Sequence, residues 1–380
     1  MNFDLSEEQQ IVAELATQVF GDLATPERVK EVESADGFDR ALWGSLAEAG
    51  LLGLCLPESH GGSGMGLVEL CLIAEQQGRN VAPVPLVPTV VSAMTIAEHL
   101  GDQQQAAAVL AGVADGSTVL TAALAEPGAN DPLTPSVRAT RSGNAVRIIG
   151  EKPAVPALPV AAAVLVPVLI DGDTALALVD TGLDGVGIEP LATTNHEPQG
   201  HLRLDVEIPA ELVTITSDTP GASDGQGAPD ALDDLYHRFL VANCAIQLGV
   251  GVGAIAHVAE HVSTREQFGR PLSNFQAVSQ RAADGYIVNE ALRSTVLNAA
   301  WQLANRSGGS AREDVLSAAY WASEGTQRVV LTAQHLHGGI GADVDYPVHR
   351  HFLWGMQLAS TLGTASSHVA RLGAHLAATP

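Results

Sequence analysis

The stretch "STREQFGRPLSNFQ" (residues 263–276) interrupts a long helical pattern and divides the second half of the chain. Its Gly269 and Pro271 favour a turn, because glycine tolerates left-handed backbone and proline lacks the N–H group that an interior helical residue donates. The same stretch carries two arginines, two glutamines and two phenylalanines, of which Arg265, Gln267, Phe268, Arg270 and Gln276 fall within twelve residues. Two interpretations are open: a surface break between two helices, or a device that holds a flat, anionic molecule.

Helical patterns lie on both sides of this break and at the amino terminus, with a β-rich region between them. Residues 1–116 and 231–380 carry apolar side chains at helical spacing. Residues 117–216 contain short runs of Val, Leu and Ile separated by Gly, Pro, Asp and Asn, which is typical of strands and turns. Residues 217–230, "SDTPGASDGQGAPD", have the composition of a linker. This order predicts an α+β fold with three regions.

Three local signals predict where individual helices begin and end. Ser6 and Gln9 have the spacing of a capping box. The helical pattern of "RALWGSLAEAGLLGL" (residues 40–54) is expected to continue to near Pro57. Gly78 is expected to stop the helix that precedes it, because glycine is common just after a helix end.

Composition narrows the classes of function. The 380 residues include 43 acidic and 19 basic side chains, and the net charge of −24 disfavours a nucleic-acid partner. Three cysteines without metal-ligand spacing favour a reducing cytoplasm, and the start "MNFDLSEEQQ" shows no signal-peptide pattern. The uncharged run 239–258 is long enough to span a membrane but contains Asn243, Gln247 and His257. A buried core helix, and no membrane association, is therefore expected.

Four stretches, taken in order and spacing, resemble the acyl-CoA dehydrogenase family over essentially the whole chain. Residues 42–79 resemble its N-terminal helix–loop–helix segment, and "ALAEPGA" (123–129) resembles its E-P-x-A loop. "REQFGRPLSNFQ" (265–276) is similar to its flavin-contacting R-x-x-F-G-x-P-x-x-x-F-Q motif, and "HLHGGIGADVDYPVHR" (335–350) resembles its G-G-x-G…Y-P-V-x-R motif. The resemblance implies an N-terminal helical domain, a middle β-barrel or sandwich and a C-terminal four-helix bundle.

The resemblance also implies FAD-dependent α,β-desaturation of a CoA thioester, with electron-transfer flavoprotein or a similar protein as electron acceptor. In this chemistry a carboxylate removes the α-proton and the flavin accepts the β-hydride. Family members hold the adenosine and pyrophosphate end of each FAD with the neighbouring subunit. By this resemblance an arginine would bind the pyrophosphate, and the other motif residues would line the same cofactor. The residues implied are Arg265, Gln267, Phe268, Gln276, His335, Gly338 and Gly339.

The two positions at which family members carry the catalytic base are apolar in this chain. Counting fifteen residues after Pro347 reaches Leu362, and counting 26 residues before Arg265 reaches Phe239. Neither side chain can accept a proton. The comparison with the family therefore implies that this chain supplies no catalytic residue.

Segments that contact the flavin ring in the family are altered as well. Ala125 stands where the family's E-P-x-A loop has threonine, and "KPAVPAL" (152–158) replaces the family's Trp-Ile-Thr strand. Pro153 and Pro156 are expected to disfavour a central strand, because proline donates no ladder hydrogen bond. His335 stands where glutamine is usual, although imidazole still donates one hydrogen bond. The chain keeps residues that would serve a neighbour's FAD and lacks those that would serve its own.

This asymmetry resembles the base-less, non-catalytic subunits of actinobacterial α2β2 heterotetramers that act on steroid-derived CoA thioesters. The hypothesis requires a paralogous partner that carries the catalytic glutamate and shares FAD at the subunit interface. One alternative is a self-sufficient homo-oligomeric dehydrogenase whose base has moved to Glu290 or Glu126. Another is a CoA-thioester-binding scaffold without a redox role.

Two H-x-H pairs, His335–His337 and His349–His351, raise the question of a metal site. On a helix the side chains of residues i and i+2 point apart, so neither pair chelates a metal well. No carboxylate or thiol completes a set of ligands in either segment. No metal site is expected.

Overall fold

The chain forms two compact units whose segments alternate along the sequence. The computed structural model describes residues 4–129, 131–215, 230–305 and 309–378. The first unit, here called the helical unit, comprises Met1–Val32, Leu67–Pro83 and Leu240–Pro380. The second, here called the β unit, comprises Glu33–Gly66 and Val84–Phe239.

Helices occupy both ends of the described chain, as the sequence predicts. The described residues form the helices α1 (Glu7–Leu23), α2 (Pro26–Glu33), α3 (Arg40–Glu48), α4 (Leu67–Arg79), α5 (Leu86–His99), α6 (Gln104–Ala114), α7 (Ala231–Thr264), α8 (Gln276–Ala304), α9 (Gly309–His337), α10 (Val348–Leu358) and α11 (Ala365–Ala378). The predicted linker, residues 217–230, lies outside the described residues except for Asp230.

Strands fill the segment between α6 and α7, and two very short strands follow α7. They are β1 (Leu120–Ala122), β2 (Arg138–Ser142), β3 (Ala145–Pro156), β4 (Ala163–Ile170), β5 (Asp173–Asp180), β6 (Val186–Leu191), β7 (Gln199–Pro209), β8 (Val213–Ile215), β9 (Glu266–Gln267) and β10 (Arg270–Pro271). The first eight form one mixed sheet in the order β6-β7-β3-β2-β4-β5-β8, with β1 paired to β4. The β1–β4 and β2–β4 pairs are parallel and the other pairs are antiparallel.

The N-terminal helices follow their local signals only in part. The capping box of α1 is confirmed: the Gln9 N–H donates to Ser6 Oγ at 3.2 Å, and the Ser6 N–H donates to Gln9 Oε1 at 3.0 Å. The prediction that the next pattern stays helical to near Pro57 is wrong, because α3 ends at Glu48. Gly50 turns left-handed there, with φ of 73°, and the Leu51 N–H donates back to the Leu46 carbonyl at 2.9 Å. This bond closes a helix end regardless of the apolar residues that follow.

Gly78 does not stop α4, contrary to the prediction, because its lack of a side chain serves packing instead. A Cβ at Gly78 would lie 2.0 Å from the Ile246 carbonyl oxygen on α7. In return, a Cβ at Gly249 would lie 1.9 Å from the Glu75 carbonyl oxygen on α4. Within the helical unit, α4 and α7 therefore approach with their backbones in contact, which two glycines permit.

Replacing Gly249 with alanine is expected to lower the free energy of unfolding by about 3 kcal/mol, since the added carbon overlaps backbone atoms that cannot rotate away. Urea-induced unfolding of the purified chain measures the change. The matched control is Gly21→Ala in α1, where an added Cβ meets nothing within 4 Å. That control should gain about 0.5–1 kcal/mol from helix propensity alone. Equal stabilities for the two variants would contradict the close helix contact.

Strand β3 continues through the segment in which two prolines predicted a poor strand. It pairs with β7 up to Lys152, shifts register, and resumes pairing at Val155 and Pro156. The intervening Ala154 has a φ of 49°, so the extra residues bulge out of the ladder. Bulges tolerate proline because no ladder hydrogen bond is needed there, which accounts for Pro153, whereas Pro156 is the last residue of β3.

Helix α7 is long and apolar enough to cross a membrane by length and hydropathy, with a mean hydropathy of 1.9 over its most apolar window. In the folded chain, however, 83% of that window is buried by the protein itself. A core helix passes the same test of length and hydropathy. The burial agrees with the core helix that the polar residues of this run predicted.

Candidate functional site

The break between α7 and α8 is a tight hairpin that holds an aromatic side chain in solvent. Strand β9 pairs with β10, and Phe268 and Gly269 form the turn with φ values of 55° and 78°. Two consecutive left-handed residues suit a two-residue hairpin, but a bulky residue there is strained by about 1–2 kcal/mol. The Phe268 side chain is nevertheless 93% exposed. A strained, exposed aromatic ring is a frequent property of binding sites.

The other residues singled out in this stretch share the same exposed surface. Arg265, Gln267 and Gln276 are all exposed. The Arg270 guanidinium lies 4.2 Å from the centre of the Phe275 ring, and the Phe268 and Phe275 rings meet edge to face at 6.1 Å. Phe275 therefore contacts both side chains of the hairpin, Phe268 through its ring edge and Arg270 through a cation–π contact.

The second predicted motif lies at the carboxyl end of α9. Gly338 has a left-handed φ of 63° and begins a short turn, and His335, Gly338 and Gly339 are exposed. A Cβ added to either glycine would meet no atom within 4 Å. The chain itself thus leaves open space beside this backbone. An anionic group can approach the backbone closely at such a turn.

Two stacked imidazoles bring these motifs together. His261 lies one helical turn before Arg265 on α7, and His337 directly precedes Gly338 at the end of α9. Their rings are stacked, with centres 4.6 Å apart and an interplanar angle of 25°. The sequence analysis missed this pair, although the four-residue spacing of His257, His261 and Arg265 places all three on one face of α7.

The imidazoles around this pair are kept neutral by burial and by one another. Burial and the neighbouring His337 lower the pKa of His257, and burial, His337 and Arg265 lower the pKa of His261. Burial likewise lowers the pKa of His337 and, together with His257, lowers that of His351 to about 3. At neutral pH this end of the helical unit therefore gains no positive charge from these rings.

Acidification from pH 7 to pH 5 is expected to destabilise the chain by about 2 kcal/mol through His351 alone. The His351 pKa in the folded chain, about 3, lies below the ordinary value of 6.5. The unfolded chain therefore binds more protons between those values, and stability falls as the pH falls. Urea unfolding at both pH values, compared between wild type and His351→Leu, measures the contribution. A variant with the same pH dependence as wild type would contradict it.

The diphosphate end of FAD fits the residues present. The exposed guanidinium of Arg265 can donate two hydrogen bonds to a phosphate, and the open space beside the Gly338 and Gly339 backbone lets an anion approach closely. Near their carboxyl ends, α7 and α9 are joined by the stacked rings of His261 and His337. The residues predicted for this half are therefore exposed and chemically suited to an anionic group.

The residues that would face a flavin ring do not fit it. Ala154 at the β3 bulge is exposed and offers no aromatic surface. The Thr121 hydroxyl donates to the Pro156 carbonyl at 2.5 Å, and the Ala157 N–H donates to the Pro198 carbonyl at 2.7 Å. These backbone groups are thus satisfied within the β unit, and Pro156 has no hydroxyl to donate to a flavin. No reaction step is assigned to this segment.

The positions of the missing base are apolar in the structure as in the sequence. Leu362 lies in the turn before α11 with a left-handed φ of 60°, and Phe239 is buried in α7. The carboxylates that precede Phe239 face other partners. His237 Nδ1 lies 3.1 Å from Asp233, and the Arg238 guanidinium lies 2.6 Å from Asp234.

The two carboxylates considered as relocated bases are both engaged. Glu126 contacts the Lys152 ammonium with one oxygen, and its other oxygen accepts a hydrogen bond from the Ser136 hydroxyl at 2.5 Å. Glu290 lies on α8, 3.6 Å from the Arg293 guanidinium, with its side chain 45% exposed. Both carboxylates therefore already serve ion pairs within the chain.

The structure separates the members of the first H-x-H pair and gathers a different group of potential ligands. His335 is exposed whereas His337 is 5% exposed, as helical spacing predicts. In the β unit, the ligand atoms of Glu98, His99 and Asp234 lie within 4.8 Å of one another. The Arg238 guanidinium lies 2.8 Å from Glu98 and 2.6 Å from Asp234, so a protein cation already neutralises these carboxylates.

Comparison with known proteins defines the class to which this fold and surface belong. Residues 6–117 match the N-terminal domain of acyl-CoA dehydrogenases, and residues 225–377 match their C-terminal domain. The helical, β and helical order agrees with that fold. The chain belongs to the acyl-CoA dehydrogenase family of flavin-dependent oxidoreductases.

Particular relatives cover the whole chain. Acyl-CoA dehydrogenase FadE27 from Mycobacterium tuberculosis is 36% identical over 100% of both chains. A chain of the ChsE4-ChsE5 complex from Mycobacterium tuberculosis is 36% identical with a TM-score of 0.90, again over 100% of both chains. A chain of a variant of the Tcur3481-Tcur3483 steroid ACAD is 42% identical with a TM-score of 0.87, over 98% of both chains. Both of these solved structures are named for two proteins.

Proposed function

We propose that the chain is the non-catalytic subunit of a heteromeric, FAD-dependent acyl-CoA dehydrogenase. It contributes the adenosine and pyrophosphate half of the FAD site of a paralogous partner, and that partner carries the catalytic glutamate. The complex desaturates a CoA thioester derived from a steroid and passes electrons to electron-transfer flavoprotein or a similar acceptor. It is a cytoplasmic heterotetramer with two chains of each kind.

One observation carries the proposal: this chain has the residues of one half of a family cofactor site and lacks those of the other half. Arg265, Phe268 and Gln276 remain on an exposed surface, available to a second chain. The two base positions, Leu362 and Phe239, are apolar. Loss of selection on the whole site would remove both halves alike. Retention of only the half that serves a neighbour is expected of a subunit whose partner does the chemistry.

This exposed surface is suited to bind an anionic cofactor that a second chain holds. The Arg265 guanidinium would hold the pyrophosphate in paired hydrogen bonds, and Gln267 and Gln276 would add single ones. Phe268 would pack on the cofactor and exclude water, while Gly338 and Gly339 would present backbone N–H groups. Bound FAD supplies the hydride acceptor of the desaturation. The residues of this chain only bind and orient it.

The relatives support the assembly and the substrate class. The ChsE4-ChsE5 structure is a complex, and the Tcur3481-Tcur3483 protein is a steroid ACAD. Both resemble this chain along nearly its whole length. A mixed assembly and a steroid-derived thioester are therefore the first choices to test.

The test is the flavin content of the chain purified alone and co-expressed with a paralogue that carries the catalytic glutamate. Visible absorbance quantifies FAD, and native mass measurement gives the assembly. A colourless lone chain, and a yellow tetramer with one FAD for each pair of unlike subunits, are expected. A lone chain with one FAD per subunit and activity would overturn the proposal and return attention to Glu290 and Glu126. A complex without flavin that binds CoA thioesters would favour a scaffold.

A further inference from the structure

We propose that the stacked rings of His261 and His337 are a positioning pair that holds the two cofactor motifs of this chain in register and loosens them when both rings are protonated. The inference rests on the proposed function, since the motifs in question are those assigned to the partner's FAD. It assigns no contact with FAD to either ring. Both residues act through the groups beside them.

The geometry places the pair at the joint between the motifs. Arg265 follows His261 by one turn of α7, and its N–H donates to the His261 carbonyl at 2.9 Å. Gly338 follows His337 directly. The ring centres are 4.6 Å apart and nearly parallel, so a change in their separation moves the end of α7 relative to the end of α9.

Each ring is also fixed on its own helix. His337 Nδ1 lies 2.7 Å from the Ala333 carbonyl, which orients the ring, and the His337 side chain is 5% exposed. The Tyr346 ring contacts both imidazoles, with centres 5.3 Å from His337 and 6.4 Å from His261. The stack is therefore supported on one side by an aromatic residue. Aromatic packing of this kind favours a single arrangement of the rings.

Charge opposes the stack when the pH falls. Two imidazolium rings at this separation repel each other strongly in a partly buried site. Arg265 adds a third positive charge on the same helix face, and its presence together with burial and His337 lowers the pKa of His261. Among the described residues, the pair interacts with His257 of α7, with Arg265 directly after α7 and with the Tyr346 ring. Glu260 acts on His257 and Tyr346, and His351, beside Arg350 on α10, interacts with His257.

Glu260 is the one carboxylate in that group, and it does not compensate for two added protons. It raises the pKa of His257, whereas the causes that lower the pKa of His257 are burial and His337. The remaining neighbours are neutral or positive. Protonation of both rings thus leaves an excess of positive charge at the joint, and separation of the helix ends relieves it.

Substitutions at His261 separate stacking from charge. His261→Phe keeps a flat ring and removes the proton, whereas His261→Asn removes the ring and keeps a polar side chain. His375→Gln is the matched control, because His375 lies on α11 of the same unit beside Glu313. His337 is left unchanged, because its buried ring makes a hydrogen bond within α9.

The first measurement is hydrogen exchange on the chain alone, corrected for intrinsic exchange rates. His261→Asn is expected to reduce protection of the last turn of α9 and of residues 338–342 by about tenfold at pH 7.5, with His261→Phe and His375→Gln close to wild type. Between pH 7.5 and 5.5, wild type should lose protection at this turn and His261→Phe should keep it. Equal protection in all variants, or equal pH dependence, would overturn the positioning role without bearing on FAD.

The second measurement is FAD dissociation from the co-expressed complex. His261→Asn is expected to weaken binding about tenfold and His261→Phe less than about twofold. Between pH 7.5 and 5.5, wild type should weaken at least about fivefold more than His261→Phe. If the exchange results are as expected but the complex contains no FAD, the proposed function is wrong, whereas the positioning role of the His261–His337 pair still holds. FAD binding that strengthens in wild type on acidification would overturn the loosening.

Discussion

The substitution Lys152→Met is expected to lower the free energy of unfolding by about 3–5 kcal/mol. The Lys152 and Glu126 side chains form an ion pair in the β unit, and both are 0% exposed. Methionine preserves the length and most of the volume of lysine but leaves the Glu126 charge buried. The remaining hydrogen bonds to that carboxylate, from the Ser136 N–H and hydroxyl, are too few to replace an ammonium group.

An exposed ion pair on the same strand provides the control. Arg147 lies on β3 and its guanidinium is 2.9 Å from Asp205, with side chains 57% and 61% exposed. Arg147→Ala should cost less than about 1 kcal/mol, because water replaces the lost partner. The double variant Lys152→Met with Glu126→Leu should recover most of the loss, since no charge then remains unpaired. Urea unfolding of wild type and the three variants measures these changes. Similar decreases in the free energy of unfolding for Lys152→Met and Arg147→Ala would contradict a buried ion pair.

Replacing Arg265 with alanine is expected to weaken FAD binding to the co-expressed complex by about 2–4 kcal/mol, or roughly 30- to 1,000-fold. The Arg265 guanidinium is the group assigned to the pyrophosphate, and its loss leaves the other assigned donors, Gln267 and Gln276, which are neutral. Stability should change by less than about 0.5 kcal/mol, since the side chain is exposed. FAD titration, with absorbance as the signal, gives the dissociation constant.

Two further variants show whether the effect comes from geometry or from charge. Arg265→Lys keeps the charge but not the two-pronged donor, so an intermediate loss is expected. Arg328→Ala removes an exposed arginine of α9 that lies 2.9 Å from Glu324, and it should leave FAD binding unchanged. If Arg265→Ala retained FAD as well as Arg328→Ala does, the assignment of this surface to the cofactor would fail.

Local patterns in the sequence predicted the order of elements and several of their limits correctly. The capping box at Ser6 formed because its hydrogen bonds join residues three apart. The break at Gly269 and Pro271 formed because glycine and proline constrain their own backbone. The apolar run of α7 became a core helix, as its polar residues indicated. These outcomes depend on neighbours in sequence, which is why a sequence alone could predict them.

Packing between distant segments explains where the local rules failed. Gly78 looked like a helix stop, yet it permits close contact with Ile246, which lies on another helix. Pro153 looked incompatible with a strand, yet the pairing of β3 with β7 absorbs it in a bulge. Helix α3 ends because Gly50 adopts a left-handed turn, and the spacing of apolar residues gives no sign of that turn.

The sequence by itself determined the α, β, α order, the helix break at Gly269 and Pro271 and the absence of a carboxylate at Leu362 and Phe239. Those conclusions need only the identity and spacing of residues along the chain. The tertiary structure alone decided that Glu126 is buried against Lys152 and that His261 stacks on His337. Such pairs join residues far apart in sequence, and their contact depends on how whole helices and strands pack, because packing energy is a property of the folded chain rather than of any local segment.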